Sequence, residues 1–336
     1  MNGCRYSWFV IPPRLWEFGQ SGLVQFRMGR TLRAGKMRCM NIASASASAS
    51  ASASAPAPAS RSYLFVPGDR PERFDKAWAS AADEVILDLE DAVTPENKAR
   101  ARDAVAGWLD SARPVWLRVN AVDTEWFADD LRLASEPGVA GVMLSKAEVI
   151  PGELASLHQT RGVGVIALIE TALGLARVQQ LASVSAVQRL AFGALDFQAD
   201  LGIEGDDEEL LFFRSQLVWQ SRLVGLTPPI DGVTVAVTDS DAVTRDARRA
   251  RRLGFGAKLC IHPRQLEMVH AAFAPDDAQR AWAQRVLAAL EVGGAGAVAL
   301  DGKMVDRPVV LKAQRIANTP ASGLPTRLHA ARLAVR

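Results

Sequence analysis

Two acidic residues follow short apolar runs of the sequence in a pattern that suits a divalent metal ion. Glu170 directly follows one run and Asp196 comes shortly after the next, with no basic residue close to either. Two carboxylates completed by water and substrate oxygens suit Mg²⁺, which keeps several non-protein ligands. Three cysteines and four histidines without zinc-like spacing argue against zinc. The alternative is that Glu170 pairs with Arg118 or Lys146 in an ion network.

One arginine at the end of a third apolar run could hold an anionic substrate. The planar guanidinium of Arg118 suits a two-pronged grip on a carboxylate. An acidic cluster of Asp88, Glu90 and Asp91 follows another run, and it could hold the water ligands of a metal or fix Arg118. The alternatives are an ion pair of Arg118 with Asp88 or Asp91, and a supporting role for the whole cluster.

A lysine and a histidine at two further run ends could serve as nucleophile or base. Lys146 could form a Schiff base, as lysine does in some aldolases. A lysine beside carboxylates stays protonated, so an ion pair of Lys146 is the favoured prediction. His262, followed by Pro263, could act as a base, but a hydrogen-bonded imidazole that opens a helix is the favoured interpretation.

The stretch from Gly68 to Arg73 places Arg70 and Arg73 at the start of a predicted helix. Backbone N–H groups at a helix N-terminus, together with nearby guanidinium groups, favour a phosphate. A phosphate-bearing substrate is therefore one interpretation of this turn. Ordinary charge at a helix start is the alternative.

The elements that must position these residues alternate from residue 62 onward. Eight runs rich in Val, Ile and Leu predict strands, and the amphipathic stretches between them predict helices. The predicted strands are Tyr63–Val66, Val85–Leu89, Val115–Val119, Gly141–Leu144, Val163–Ile169, Leu190–Phe192, Gly232–Val235 and Lys258–Ile261. The predicted helices are Pro71–Ala82, Pro95–Leu109, Glu125–Ala134, Glu153–Gln159, Leu173–Leu181, Glu208–Val224, Asp241–Leu253 and Pro263–Phe273.

This alternation predicts an α/β fold with a parallel sheet buried on both faces. Eight units in about 215 residues match a (β/α)8 TIM barrel, in which the chemistry lies at the C-terminal ends of the strands. A doubly wound open sheet is the weaker alternative, because no GxGxxG follows an early strand. The candidate residues above lie at or just beyond the ends of predicted strands, so they are expected to meet at one end of the barrel.

The chain divides into four predicted segments. Residues 1–60 are a leader and an Ala/Ser/Pro linker, predicted to be disordered because ASASASASASASAPAPA has too little apolar bulk to offset chain entropy. Residues 61–274 are the predicted barrel, 275–317 a C-terminal helix and lid, and 318–336 a flexible tail. The lid segment lies beyond the eighth unit, so it must cover a barrel end or reach a neighbouring molecule.

The leader leaves two interpretations of localisation. Residues 1–59 hold seven Lys/Arg against one acid, a composition typical of an organelle transit peptide, which would place the protein in the mitochondrial matrix. The favoured interpretation is an upstream stretch assigned by a wrong start codon, with Met37 or Met40 as the true start and a cytoplasmic protein.

Composition excludes several classes of protein. The formal net charge is only +2, and the basic run from Arg245 to Arg252 has no interleaved aromatic residues, so a nucleic-acid partner is not expected. No stretch of about 18 apolar residues occurs, so no membrane span is expected. Two of the three cysteines lie in the leader, which leaves Cys260 as a lone thiol suited to a reducing compartment.

Eight short strings carry a likeness to a known family between residues 61 and 317. They are SYLFVPGDRPERF, ILDLEDAV, LRVNAVDT, LSKAE, IALIET, FGALDFQADLG, AKLCIHPRQ and GKMVDRP. Taken in this order, they resemble the citrate lyase beta-subunit-like family of the HpcH/HpaI aldolase superfamily, near the malyl- and citramalyl-CoA lyases. That family comprises metal-dependent (β/α)8 aldolases that act on acyl thioesters.

The resemblance implies a cofactor and roles for named residues. Mg²⁺ is the implied cofactor, with Glu170 and Asp196 as its ligands, and Arg118 and Glu170 also meet the substrate. Further implied contacts with substrate, including the coenzyme A arm, are Phe65, Arg70, Lys76, Asp88, Asp91, Ile261 and His262. Asp306 in GKMVDRP matches an aspartate that enters a neighbour's site, so Arg118 and Asp306 are the implied catalytic residues and a homotrimer is implied.

The implied activity is a Mg²⁺-dependent carbon–carbon lyase. It would cleave or form a 3-hydroxyacyl-CoA thioester such as malyl-, citramalyl- or citryl-CoA, giving acetyl-CoA and a 2-oxo acid. One alternative is a citrate lyase beta subunit that acts on citryl-acyl-carrier protein. Others are a non-catalytic assembly subunit on a retained barrel and an aldolase acting on free aldehydes.

Overall fold

The computed structural model describes residues 60–293 and 298–319 of the chain. Eight parallel strands close into a barrel in sequence order, which confirms the predicted fold class. The predicted leader and most of the predicted tail lie outside the described residues. The barrel strands are β1 Ser62–Pro67, β2 Glu84–Asp88, β3 Val115–Val119, β4 Val139–Leu144, β5 Gly164–Ile169, β6 Val187–Phe192, β7 Ile230–Asp231 and β8 Ala257–Cys260.

Side chains on the strands alternate between the barrel interior and the surrounding helices. Asp88, Arg118 and Glu170 each lie two residues beyond a member of the apolar interior set, on β2, β3 and β5. The same alternation therefore directs these three charged side chains into the mouth of the barrel. The interior set is Tyr63, Ile86, Trp116, Met143, Ile166, Leu168, Ala191, Ile230, Ala257 and Leu259.

The predicted seventh strand is wrong in position. The ladder contains only Ile230 and Asp231, which pair with Ala191, Ala257 and Lys258 of the neighbouring strands. The β-branched residues that follow pointed to a strand over 232–235, but the chain has already left the sheet there. Val233 still packs against the barrel interior, but Val235 is 63% exposed, so the apolar run after β7 leaves the core within a few residues.

Helices surround the barrel and connect its strands. Single 3₁₀ turns that begin with Pro71, Pro95 and Pro263 lead into three of them, because proline at a helix start loses no intrahelical hydrogen bond. None of the helices in these described ranges is long and apolar enough to cross a membrane. They are α1 Phe74–Trp78, α2 Lys98–Trp108, α3 Phe127–Leu133, α4 Gly152–Arg161, α5 Ala172–Ala176, α6 Val178–Ala182, α7 Ala194–Leu201, α8 Leu211–Leu223, α9 Ser240–Leu253 and α10 Leu266–Phe273.

One of these helices, α7, is absent from the sequence-based prediction. It starts two residues after β6 and ends at Gly202, whose φ of +69° terminates the helix in the left-handed conformation. With only eight residues it is too short to show a helical apolar period. The helix matters because Asp196 lies in its first turn.

The chain beyond the barrel forms a small unit with a core of its own. It contains α11 Asp277–Gly293, an antiparallel pair of strands β9 Val298–Leu300 and β10 Lys303–Val305, and α12 Arg307–Asn318. Ala283 and Val286 of α11 pack against Val305 and against Ala313 and Ile316 of α12. This cluster is separate from the two apolar clusters of the barrel.

Candidate active site

A guanidinium held by two carboxylates forms one side of the barrel mouth. Arg118 donates from Nε to Oδ1 of Asp88 at 2.7 Å and from Nη2 to Oδ2 at 2.5 Å, while Nη1 lies 2.9 Å from Oε2 of Glu90. The ring of Phe65 lies 4.8 Å from the guanidinium carbon and covers one of its faces. Arg118 therefore pairs with Asp88, as one interpretation predicts, and with Glu90 rather than Asp91.

Lys146 joins this cluster through an ion pair. Its Nζ lies 2.6 Å from Oε1 of Glu90 and 4.0 Å from Oδ2 of the mostly exposed Asp91. Burial alone would lower the pKa of Lys146, but the hydrogen bond and charge of Glu90 raise it above its usual value. The structure thus shows the ion pair expected from the sequence, and a protonated amine of this kind is a poor Schiff-base nucleophile.

A second buried lysine, Lys98, was not recognised in the sequence. Its Nζ donates to the carbonyl oxygens of Leu89 and Glu90, both at 2.8 Å, and to Oδ1 of Asn120 at 2.7 Å. Asn120 in turn donates to Oδ2 of the fully buried Asp130. The sequence did not indicate that Lys98 is buried, because it begins the arginine-rich stretch KARAR, which has the composition of a solvated helix face. Its place on the first turn after an acidic strand end was the available signal.

Glu170 lies on the other side of the mouth, where burial disfavours the charged form of its carboxyl. Burial raises the pKa of its carboxyl to about 8, and the charges of Glu90 and Asp196 add to the rise against the opposing charge of Arg118. Within the described residues its one hydrogen bond comes from the backbone N–H of Lys146, at 2.7 Å. Lys146 itself adopts a left-handed backbone conformation, with φ of 46°.

Asp196 reaches the same side of the mouth from α7. Gly193 precedes the helix, and a Cβ at that position would overlap the side chain of Glu170. The glycine therefore lets α7 start directly against Glu170, so that the charge of Asp196 helps to raise the pKa of Glu170. The side chain of Asp196 is partly exposed and makes no hydrogen bond or ion pair to residues in the described ranges.

The charges of this mouth cluster fit a divalent cation. Counted as ionised, the cluster holds five carboxylates and three cationic groups, which leaves an excess of two negative charges. Glu170 and Asp196 have no ion pair among the described residues, whereas Asp88 and Glu90 are paired at 2.9 Å or less and Asp91 lies 4.0 Å from Lys146. The carboxylates are Asp88, Glu90, Asp91, Glu170 and Asp196, and the cations are Lys98, Arg118 and Lys146.

The number of protein ligands also suits magnesium rather than zinc. No group of three or more His, Cys, Asp or Glu side chains that could hold a metal occurs among residues 60–293 and 298–319. A cation between Glu170 and Asp196 would take its remaining ligands from water and substrate, as Mg²⁺ does. Both donors are carboxylates, the hard oxygen ligands that this ion prefers.

Four further predicted contact residues lie around the cluster without joining it through any described contact. The side chain of Arg70 is 55% exposed, and its Nε lies 3.8 Å from Oδ1 of Asp69. Lys76 is exposed on α1. Ile261 is 40% exposed at the end of β8. The Nδ1 atom of His262 accepts the N–H of Arg264 at 3.1 Å, so this imidazole opens the last barrel helix as the favoured interpretation holds.

Asp306 lies outside the barrel, at the start of α12. Its Oδ1 accepts the N–H of Val309 at 3.2 Å, so the side chain caps this helix and Oδ2 takes no part in that bond. The residue is exposed, and no described contact links it to the mouth cluster of its own chain. A role in catalysis therefore needs either movement of the C-terminal unit or a second copy of the chain.

Three relatives resemble this chain over most of their length. A citrate lyase subunit beta-like protein of Deinococcus radiodurans is 37% identical over 273 residues, which cover 76% of this chain and 95% of the relative. A (3S)-malyl-CoA thioesterase of Cereibacter sphaeroides is 32% identical over 278 residues, covering 78% of this chain and 97% of the relative.

The third relative, the CitE protein of Mycobacterium tuberculosis, has solved structures. One, in complex with magnesium, acetoacetate and coenzyme A, matches with a TM-score of 0.69 and 36% identity, covering 77% of this chain and 97% of that chain. Another, in complex with magnesium and pyruvate, matches with a TM-score of 0.61 and 32% identity, covering 77% and 98%.

The family model of HpcH/HpaI aldolase/citrate lyase matches residues 61–263, which include all eight barrel strands. The matched part carries every member of the mouth cluster, while α11, α12 and Asp306 lie beyond it. The family match, the identities to whole relatives and the closed parallel barrel agree. The chain belongs to the HpcH/HpaI aldolase/citrate lyase family.

Proposed function

We propose that the protein is a Mg²⁺-dependent carbon–carbon lyase for 3-hydroxyacyl-CoA thioesters such as malyl-, citramalyl- or citryl-CoA. Its products would be acetyl-CoA and a 2-oxo acid, and the reverse condensation would use the same site. The observation that carries the proposal is the carboxylate pair Glu170 and Asp196, which lacks cationic partners among the described residues, beside an Arg118 held by Asp88 and Glu90. A magnesium ion, coenzyme A and pyruvate occupy structures of a relative, which supports the same ligand classes here.

Arg118 supplies a preset contact for an anionic substrate. Of its five N–H groups, three point to Asp88 and Glu90, which leaves one on each Nη atom. The two carboxylates and the ring of Phe65 fix the guanidinium before substrate arrives, so little ordering remains to be done on binding. The free N–H groups would hold the carboxylate of the substrate and the negative charge that develops as the carbon–carbon bond breaks.

The reaction moves one proton and needs no oxidant. Bound Mg²⁺ would supply Lewis-acid polarisation of the substrate oxygen at the bond that breaks. Glu170 and Asp196 would hold it there, with Glu170 further fixed by the N–H of Lys146. Net cleavage transfers the hydroxyl proton of the substrate to the methyl carbon of the acetyl thioester. The carboxyl of Asp306 would deliver the proton to that carbon.

We infer that Asp306 acts in the site of a neighbouring copy of the chain, in a homotrimer. The separate core of the C-terminal unit supports this, because the unit can keep its shape without packing into the apolar clusters of its own barrel. Asp306 is also exposed, with one carboxylate oxygen outside its capping bond. Malyl-CoA thioester chemistry in one relative supports the same substrate class, with thioester hydrolysis as a further step to assay.

A substrate panel tests the proposed reaction. The full chain is incubated with malyl-, citramalyl- and citryl-CoA, with Mg²⁺ and with EDTA, and acetyl-CoA and the 2-oxo acids are quantified. At least one thioester should be cleaved in the presence of Mg²⁺ only. Cleavage that survives EDTA would show that the ion does not take part. Turnover of citryl-acyl-carrier protein without turnover of any free coenzyme A thioester would favour the citrate lyase beta-subunit alternative.

Replacement of Asp306 tests the proton-transfer role. Asp306→Ala should keep Mg²⁺ binding, measured by calorimetry, and lose most turnover, because general acid–base catalysis contributes about 10²–10⁴-fold. Near-normal turnover would refute the role.

Mixed oligomers test whether Asp306 acts across a subunit boundary. Asp306→Ala and Glu170→Ala chains carrying different tags are co-expressed, and the hetero-oligomer is purified through both tags. If Asp306 serves a neighbour, sites that combine the two intact residues form at some interfaces and part of the activity returns. If Asp306 serves its own barrel, every site lacks one residue and the mixture stays inactive.

A further inference from the structure

Lys98 is a buried cation next to the acidic end of β2. It is 5% exposed and begins α2, where its ammonium group points back to the strand ends. All three of its N–H groups are used, by the carbonyls of Leu89 and Glu90 and by the side chain of Asn120. An ammonium with three good acceptors is held in one place, because any rotation or shift would lose a charge-assisted hydrogen bond.

The acceptors of Lys98 belong to the two segments that hold Arg118. The segment Asp88–Glu90 carries both carboxylates that bind the guanidinium, and Lys98 holds the carbonyls of its last two residues. Asn120 lies two residues after Arg118 itself, and its Nδ2 donates to the carbonyl of Leu89 at 2.9 Å. Lys98 and Asn120 therefore clamp the end of β2 to the end of β3, next to the residues that hold the guanidinium.

A buried lysine is a costly way to add stability. Taking an ammonium out of water costs several kcal/mol, and apolar residues of similar volume often serve a protein's stability as well or better. A lysine here does something an apolar residue cannot, because it draws two consecutive carbonyls and an amide oxygen toward one point. The result is a fixed main chain at Leu89 and Glu90, where the orientation of the Glu90 side chain is decided.

We propose that Lys98 is a positioning residue that sets the orientation of Arg118 by fixing the main chain that carries Asp88 and Glu90. Its consequence for substrate binding rests on the proposed function, whereas the orientation of Arg118 is a property of the protein alone. Loss of the ammonium would release the turn after β2, and Glu90 would no longer bridge Arg118 and Lys146. The two free N–H groups of Arg118 would then point in variable directions.

Lys258 provides a matched control for the removal of a buried lysine. It is 2% exposed, and its Nζ donates to the carbonyl of Gly232 at 2.6 Å and lies 3.9 Å from Oδ2 of Asp231. Those contacts do not include a member of the mouth cluster. Lys98→Met and Lys258→Met therefore both remove a buried cation. Only Lys98 contacts the segments that hold Arg118.

The test reads the environment of Arg118 directly. The full chain is labelled with ¹⁵N-arginine, and the Nε–H resonance of Arg118 is assigned from its loss in Arg118→Lys. In Lys98→Met this resonance should shift or broaden, and kcat/KM for the cleaved thioester should fall about 100-fold, as expected for misplacement of a binding group by about 1 Å. In Lys258→Met the resonance and the KM of the folded enzyme should stay as in the wild type.

The outcomes separate the inference from the proposed function. An unmoved Arg118 resonance in folded Lys98→Met, or equal changes in both variants, would overturn the positioning role. Should Lys98→Met fail to fold, Asn120→Ser removes one acceptor and leaves the two carbonyl bonds, and an unmoved resonance there would equally overturn it. Failure of the wild type to cleave any thioester would refute the proposed function but leave the resonance test intact.

Discussion

The two sides of the barrel mouth treat charge in opposite ways. After β2, β3 and β4, Asp88 and Glu90 are almost fully buried and each is paired with a cation at 2.9 Å or less. After β5 and β6, Glu170 is just as deeply buried but has one backbone hydrogen bond, and Asp196 has no partner among the described residues. We call these the paired side and the open side.

The difference separates stability from function in physical terms. On the paired side each charge is compensated within the chain, so the contacts exist before any ligand binds and their removal leaves a buried charge behind. On the open side the chain keeps an uncompensated carboxylate whose pKa burial raises to about 8. Such a group costs free energy in the empty protein, and a bound cation would remove that cost.

Removal of the Glu170 carboxylate from the open side should have the largest effect. Glu170→Ala should lower Mg²⁺ affinity by more than about 100-fold, because outer partners of metal ligands alone contribute 10–100-fold. Lyase activity should disappear with it. Calorimetric titration with Mg²⁺ and the thioester assay measure the two effects. Activity that is retained and still sensitive to EDTA would place the metal ligands elsewhere.

The isosteric change separates the metal role from a packing role. Glu170→Gln keeps the shape of the side chain and removes its charge, so it should lose Mg²⁺ binding as well. In EDTA at pH 9 it should melt at a higher temperature than the wild type, because the buried carboxylate is ionised there only in the wild type. A lower melting temperature would mean that the charge of Glu170 is already compensated within the protein.

The sequence predicted the two sides unequally. The strand ends were readable because nearly continuous apolar runs each stop at a charged residue, and this placed Glu170, Asp196 and Arg118 at one end of the barrel. The sequence did not predict which acidic residue besides Asp88 pairs with Arg118. Glu90 rather than Asp91 meets Arg118 because the turn after β2 is shaped by Lys98, which lies eight residues farther along the chain.

Short elements were the other source of error. Helix α7 has eight residues and β7 has two, and neither is long enough to show a period in its apolar residues. Their positions follow from what surrounds them: Gly193 makes room for α7 against Glu170, and Ile230 fills a gap in the barrel interior. Constraints of this kind come from contacts distant in sequence, which local propensity does not contain.

A substitution on the paired side should mainly lower the free energy of unfolding, unlike the substitutions of Glu170. Arg118→Met leaves Asp88 and Glu90 buried without their shared cation, and loss of one partner of a buried pair costs about 3–5 kcal/mol. Urea unfolding in EDTA measures this loss. The control is Arg285→Met, which breaks an exposed pair with Asp301 and should cost less than about 1 kcal/mol. An unchanged unfolding midpoint for Arg118→Met would show that the ion pairs of Arg118 with Asp88 and Glu90 do not stabilise the fold.

The smallest expected effect comes from a change of pH, which alters the charge of Glu170 without any substitution. Because the pKa of Glu170 is raised to about 8, a proton competes with Mg²⁺ below that pH. Affinity should rise about tenfold per pH unit between pH 6 and pH 8 and level off above it, with one proton released per ion bound. Calorimetry in buffers of different ionisation enthalpy measures both quantities.

The same group should leave a trace in stability without metal. The folded state holds the Glu170 proton more tightly than the unfolded chain, whose ordinary pKa is 4.5, so this contribution is complete below pH 4.5. It should then be lost as the pH rises through about 8, and Glu170→Gln should lack that loss. A pH-independent Mg²⁺ affinity together with identical stability profiles would show that Glu170 is ionised throughout, and the two sides of the mouth would then not differ.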